Sequence, residues 1–289
     1  MVFFRPMAAG DRPPSGGVAL KVLYEAATLV FTTITVGGPL TLLALALREL
    51  SGSMPWWAMT FLAPVWFAAF LVLFSLALLG LRLIAPRLEP GHYAPGHRAW
   101  TAWGLHFILR RLWAQPLWAG VLMTSPVLRT LSLRALGARV ALDINTAMDT
   151  MFTDPSLLRI DRGAMVSGGC IVAGHFVENG MLLLGVTHIG EGAQVLSSCM
   201  IGPGVTVGPH AVLAPECRLG PGAAIGANAH VGYGCQVSGG VKIGEDVVIG
   251  HQVTLEPNVV LEDGAIVPSH TLVPRGTRVA AGEKFKPAR

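Results

Sequence analysis

From Ile189 to Val279 every sixth residue is Ile, Leu or Val, sixteen times without a miss. The residue four places after each aliphatic is small or β-branched, as at Ala193, Cys199, Val205, Ala211 and Cys217. Glycine directly follows the aliphatic eight times, at Gly190, Gly202, Gly208, Gly220, Gly226, Gly232, Gly244 and Gly250. A six-residue period fits neither a helix nor a flat strand, and it repeats too often to be incidental. It fits three short strands closing a triangular coil, one inward aliphatic per strand and a tight turn at each corner. Coils of three hexads then stack and pair their strands in parallel, which covers the edges a single coil would leave open. The pattern predicts an all-β left-handed parallel β-helix over residues 141–280.

A shorter run precedes it, with Ile160, Val166 and Val172 inward and Ala164 and Cys170 four places on. From Val172 to Leu183 is eleven residues, which is not a multiple of six, so the phase breaks between Ala173 and Leu182. A loop that leaves a solenoid is where chemistry is expected, because loops carry the side chains that packing does not consume.

The first third of the chain follows another pattern. Leu23 to Leu47 and Met54 to Ile84 are almost uninterrupted apolar stretches, and a bilayer core takes roughly 20 such residues in a helix. A cleaved signal peptide fits the first stretch badly, since it starts late, runs long and leads almost directly into the second. The pair therefore predicts a transmembrane helical hairpin, bent in its first helix by Gly37-Gly38-Pro39. Arg5, Arg12 and Lys21 stand before the hairpin, and Arg82, Arg87, Arg98, Arg110 and Arg111 after it. By the positive-inside rule both ends face the cytoplasm, so the expectation is a multi-pass inner (plasma) membrane protein with a cytoplasmic β-helix. The expected organisation is a cytoplasmic tail (1–17), the hairpin (18–86), juxtamembrane interfacial helices (87–140), the β-helix (141–280) and a C-terminal tail (281–289).

Composition sharpens this. With 52% hydrophobic and only 13% charged residues, the 289-residue chain is too apolar for an ordinary soluble domain. The net charge of +4 conceals a local excess: residues 82–139 hold eight arginines against Glu89 alone. Trp100, Trp103, Trp113 and Trp118 are interleaved with them, which points to anionic membrane lipids rather than nucleic acid as the partner. The four cysteines have no zinc-type spacing, and Cys199, Cys217 and Cys235, eighteen apart, should stack inside the prism as small apolar filler.

Candidate chemistry is sparse. His175 lies in the phase-breaking segment with Glu178 and Asn179 just beyond it. Histidine titrates in the range a general base needs, Glu178 could orient its ring, and Asn179 could hold an oxyanion or substrate. His188 precedes the first aliphatic of the long run and is a candidate substrate-binding residue. His210, His230, His251 and His270 fall at corners or outer faces, where a structural role suffices. A γ-type carbonic anhydrase shares this fold but needs two histidines close in sequence; among the repeats the nearest pair is His175 and His188, so no metal site is expected.

The hexads place the chain beside the hexapeptide-repeat acyltransferase superfamily, whose members work as trimers with a histidine base next to a pantetheine groove. Residues 20 to 280 also resemble the membrane-embedded terminal region of ε-poly-lysine synthetase-type, non-ribosomal-peptide-synthetase-like proteins. The most specific pieces are Asp154-Pro-Ser-Leu-Leu-Arg-Ile160 and Gly174-His175-Phe176-Val177-Glu178-Asn179. Asn179 stands where that family usually has an acid. The resemblance implies transfer of an acyl or aminoacyl group from an activated thioester. No tightly bound cofactor is expected, and the donor would be acyl-CoA or a phosphopantetheinyl carrier protein, with a separate adenylating enzyme as a further partner. One unit per chain implies a homotrimer. The alternatives are a non-catalytic trimeric membrane scaffold for a synthetase or glycan-assembly complex, and a surface-polysaccharide O-acetyltransferase.

Overall fold

The computed structural model of the chain describes residues 29–53, 63–114 and 125–286, together with positions 22, 26, 27, 55, 57, 58 and 120. The N-terminal tail (1–17), Glu25 and Trp118 lie outside the described residues, as does the very end of the C-terminal tail. The chain divides into two compact units, residues 1–86 with 102–121, and residues 87–101 with 122–289.

In the first unit, helices α1 (Gly38–Ser51) and α2 (Ala63–Ile84) carry the apolar stretches. Two helical segments, Leu29–Ser51 and Pro64–Ile84, are long and apolar enough to cross a membrane. Just ahead of Gly38-Pro39, where a bend is expected, Thr33–Gly37 form a π-helical turn. Helix α3 (Arg98–Trp113) follows. Its Ile108 and Leu112 are buried with Phe70, Phe74 and Leu78 of α2, so these residues of the expected interfacial region form part of a helical core. The His106 ring meets the Pro86 carbonyl at 2.8 Å.

Helix α4 (Pro126–Ala135) belongs to the second unit and starts where Ser125 accepts a hydrogen bond from the Leu128 amide, with proline next in line. Beyond it the chain winds into three parallel sheets of eight, seven and seven strands, the left-handed parallel β-helix expected. The first face holds Arg139–Val140, Leu158–Ile160, Thr187–Ile189 and Thr206–Val207 onward; the third holds Met151–Phe152, Ile171–Val172 and Met200–Ile201 onward. The hexad aliphatics point inward and are buried throughout: Ile189, Val195, Ile201, Val207 and Leu213 expose no surface. Each contributes about 1.5–3 kcal/mol of apolar burial. Cys199, Cys217 and Cys235 do stack in one interior column, with Cys170 at its head, and all four are buried thiols. The glycines that follow the aliphatics answer to crowding rather than to unusual dihedrals: a Cβ on Gly226 would stand 2.3 Å from the Gly244 carbonyl carbon of the next coil.

The first coil would leave an unpaired edge, and α4 covers it. Leu133 is fully buried there, and the buried Arg129 donates from Nη2 to the Thr150 carbonyl at 2.6 Å and from Nη1 to that of Ala147. Its guanidinium also lies 5.7 Å over the Phe152 ring. Arg134 Nε donates to the Val140 carbonyl at 2.7 Å. Edge carbonyls that no strand could reach are thus satisfied by side chains of a capping helix. Arg129, counted in the sequence among charges for lipid, serves inside the protein.

Candidate active site at a doubly interrupted corner

Strand register shows where the hexad phase fails. In the regular prism a residue pairs with the one eighteen further on, as His188 does with Thr206. In the first coil the spacing is twenty on every face: Arg139 pairs with Arg159, Asn145 with Met165, and Met151 with Ile171. In the second it is twenty-nine: Arg159 pairs with His188, and Ile171 with Met200. The two extra residues fall at Thr153 to Leu157, where Pro155–Leu157 forms a short 3-10 turn. The eleven extra fall between Ala173 and Thr187. Both insertions leave the prism at the corner between the third and first faces, one coil above the other.

The larger insertion is not an irregular loop. His175–Glu178 and Met181–Leu184 form an antiparallel hairpin, and Gly91–Tyr93 adds a third strand beside Met181–Leu184. Asn179 and Gly180 make its two-residue turn with φ of 50° and 75°, the left-handed pair that Asn-Gly supplies most readily. The buried Thr187 anchors the return, its hydroxyl donating to the carbonyls of Ala173 at 2.8 Å and Gly202 at 3.2 Å.

Stacking the two insertions brings His175 onto Asp154. The ring Nδ1 lies 2.6 Å from Asp154 Oδ2, with the His175 side chain 22% exposed and that of Asp154 only 3%. The same oxygen accepts from the Thr153 hydroxyl at 2.5 Å and the Gly174 amide at 3.1 Å. Burial works to raise the Asp154 carboxyl, but the hydrogen bond and charge of His175, with those of Thr153 and Gly174, outweigh it and hold the group below the ordinary carboxylate value. An ionised Asp154 can only accept a hydrogen bond, so it favours the tautomer that carries its proton on Nδ1 and its lone pair on Nε2. Gly174 makes the approach possible, since a Cβ there would lie 2.8 Å from the Asp154 Cβ.

The other residues singled out in the sequence sit differently. Glu178 is exposed, three residues from His175 along an extended strand, so the two side chains leave opposite faces. The carboxylate that meets the ring is that of Asp154. Asn179 is exposed at the hairpin turn, where its backbone conformation accounts for its presence. His188 stands on the first face with its own carboxylate, Nε2 to Asp161 Oδ2 at 2.7 Å. Asp161 also accepts from Arg159 Nε at 3.2 Å. Burial works to raise the Asp161 carboxyl, and the bonds and charges of His188 and Arg159 together outweigh it and bring the group below the ordinary value. His210 and His270 occupy left-handed corner positions, with φ of 56° and 58°, and His230 faces outward on a strand. Asp154 is the residue the sequence reading missed. Its signal was the twenty-residue step from Val140 to Ile160, two more than a coil allows.

Comparison with known proteins follows the prism. Residues 186–221 and 240–275 match the family model for Bacterial transferase hexapeptide (six repeats). No curated protein matches the chain. Among solved structures, the acetyltransferase domain of PglB from Neisseria gonorrhoeae, in complex with acetyl coenzyme A, is 16% identical over 50% of this chain and 64% of that one, with a TM-score of 0.30. UDP-N-acetylglucosamine O-acyltransferase from Moraxella catarrhalis is 13% identical over 47% and 65%, with a TM-score of 0.36. A GDP-perosamine N-acetyltransferase from Caulobacter crescentus, in complex with CoA and GDP-perosamine, is 19% identical over 49% and 60%, with a TM-score of 0.26. The chain spans a little under two thirds of each of these proteins. What it has in common with them is the hexapeptide β-helix.

Proposed function

We propose that the chain is a membrane-anchored acyl- or aminoacyltransferase in which His175 is the general base and Asp154 its positioning residue. The observation that carries this reading is the 2.6 Å contact between His175 Nδ1 and a buried, ionised Asp154 at the corner where both insertions stack. His175 Nε2 removes the proton from an acceptor amine or hydroxyl as that group attacks the carbonyl carbon of a thioester. The tetrahedral intermediate collapses by breaking the carbon–sulfur bond, and the departing thiolate takes up the proton that histidine holds. The fold favours a thioester donor, since acetyl coenzyme A and CoA are bound in proteins of this architecture. Acyl-CoA or a loaded carrier protein would serve, the latter in keeping with the resemblance to ε-poly-lysine synthetase-type proteins. The hairpin of Leu29–Ser51 and Pro64–Ile84 holds the enzyme at the inner membrane with its prism in the cytoplasm, and three chains assemble as a homotrimer.

The test is release of free thiol by the detergent-purified full chain, supplied in turn with acetyl-CoA, longer acyl-CoA and an aminoacyl-loaded carrier protein, with amine and hydroxyl acceptors. Turnover with one donor class and its loss in His175→Ala is the expected result. Equal turnover in His175→Ala, or no thiol release from any donor by the unmodified chain, overturns the proposal.

A further inference from the structure

The first two coils carry a second site, one that does not depend on His175. Arg134, Arg139, Arg159 and Arg162 line an open basin of about 780 Å³ together with Asp161 and Glu191. Its construction is specific. Arg139 and Arg159 are direct partners in neighbouring parallel strands, so two guanidinium side chains leave the same face about 4.8 Å apart at their origins. Like charges directly opposite each other destabilise a sheet. The Arg134 guanidinium is brought to the same place by its bond from Nε to the Val140 carbonyl, the residue after Arg139.

The available carboxylates do not neutralise this group. Asp161 is shared between Arg159 and His188, and Glu191 stands 3.7 Å from Arg162. Among the described residues no carboxylate lies within 4 Å of Arg134 or Arg139. Four guanidinium groups therefore face two carboxylates. Farther along the same face the outward positions are His188, Thr206, Ala224, Lys242, Val260 and Arg278, the last bonded to Glu262, so adjoining arginines are confined to the first two coils. A repeat that could place any polar residue outward has put paired arginines where they repel each other. A doubly charged anion would remove that penalty, and the planar guanidinium fork matches phosphate oxygens two at a time.

We propose that this arginine basin binds a phosphate group, with Arg134 and Arg139 as its principal ligands. The phosphate can be that of a lipid head group or of a soluble phosphorylated compound, and the experiment separates the two. The full chain is reconstituted in nanodiscs of phosphatidylcholine alone and of phosphatidylcholine with phosphatidic acid. Inorganic pyrophosphate is titrated by calorimetry in the first, and the thermal midpoint is compared between the two.

The variant is Arg134→Gln/Arg139→Gln, which keeps the Arg159–Asp161–His188 contacts and serves alongside Arg139→Lys. Saturable pyrophosphate binding, weakened at least tenfold in the double variant and falling with salt, supports the proposal with a soluble ligand. A rise in midpoint with phosphatidic acid that the double variant loses supports it with a lipid. Responses to both probes that the double variant leaves unchanged, or no response to either, overturn it. Arg139→Lys keeps the charge but not the fork, and it should retain only part of the affinity. If the double variant does not fold, Arg139→Lys alone decides, since wild-type affinity in it would equally refute a guanidinium site. These readouts are of binding, so they stand or fall apart from thioester turnover.

Discussion

The prism from Thr187 to Val279 and the two coils before it are built from the same hexads, yet they behave as different materials. In the longer region every strand pairs with the residue eighteen places on, and the inward aliphatics, small residues and crowded glycines repeat with little variation. Its polar side chains sit at corners or face outward and bond along the surface to the adjacent coil, as the Tyr233 hydroxyl does to Glu216. In the first two coils the step grows to twenty and then to twenty-nine, and each excess leaves the prism at the same corner. There a nearly buried carboxylate meets a histidine that belongs to a different coil. Regular repetition yields rigidity, since each coil only has to cover its neighbour. Two interruptions stacked at one corner yield a candidate site, because they enclose a carboxylate beneath a histidine where a uniform hexad leaves only exposed contacts between coils.

The sharpest way to break this contrast is to remove the proposed base. His175→Ala should lower thioester turnover by about 10²- to 10⁴-fold, the usual contribution of a positioned proton acceptor. Its thermal midpoint should also fall, because the nearly buried Asp154 carboxylate loses its main hydrogen-bond partner, so turnover is compared per folded molecule. The comparable change in the regular region, His230→Ala on an outward strand position, should leave turnover intact. Parallel assays of the two variants would show whether function is confined to the interrupted corner.

Next in size is Asp154→Asn, which keeps the shape but can no longer accept a proton-bearing Nδ1 as a carboxylate does. Turnover should fall by at least tenfold without a matching rise in KM, as for a group that orients the base. It also carries a pH signature. Asp154 has a folded-state value below its unfolded one, so its stabilising contribution is present above the ordinary carboxylate range of about 3.9 and is lost as pH falls through the folded value. The gap in thermal midpoint between parent and Asp154→Asn should be largest near neutrality and close below about pH 4. A gap that stays constant with pH would mean the carboxylate charge has no part in holding the corner.

How much of this was legible beforehand depends on what each residue is for. The hexad aliphatics announced the prism because every one of them meets the same interior, and a single period describes them all. The cysteine column followed from the same arithmetic. His175 was found because the eleven-residue excess around it is too large to overlook. Asp154 stood in a family-like passage but was given no role, since an excess of two can be read as an ordinary ragged start to a repeat, and its partner lies twenty-one residues away. Glu178 looked like the natural companion of His175 on the reading that the segment is a loop. Asn179-Gly180 makes it a hairpin, and strand alternation then turns Glu178 away. Arg129 was grouped with the membrane-facing arginines by its neighbours in sequence, whereas the carbonyls it satisfies are brought to it only by folding.

A smaller effect, and one on the regular side, is expected from Gly226→Ala. The new Cβ would stand 2.3 Å from the Gly244 carbonyl carbon, so two adjacent coils would have to separate locally. Overpacking of this kind costs about 1–3 kcal/mol. The midpoint should drop by several degrees while turnover per folded molecule is unchanged, since the strain lies far along the prism from the His175 corner. A loss of turnover larger than the loss of folded protein would mean that the regular coils transmit strain to the site, and the division between scaffold and site would have to be redrawn.

The smallest effect should come from Glu178→Gln, and its smallness is informative. If the hairpin serves to present His175 while Asp154 orients it, the exposed carboxylate on the opposite strand face contributes little, and turnover should change by less than about twofold, with surface charge adding under 1 kcal/mol to stability. Restoring the hexad outright, by deleting residues 175–185, should by contrast remove activity with the prism intact. A large effect of Glu178→Gln would show that the opposite face of the hairpin also meets substrate. It would shift the site from the corner itself to the hairpin as a whole, with Phe176 and Met181, exposed on that face, as the next residues to alter.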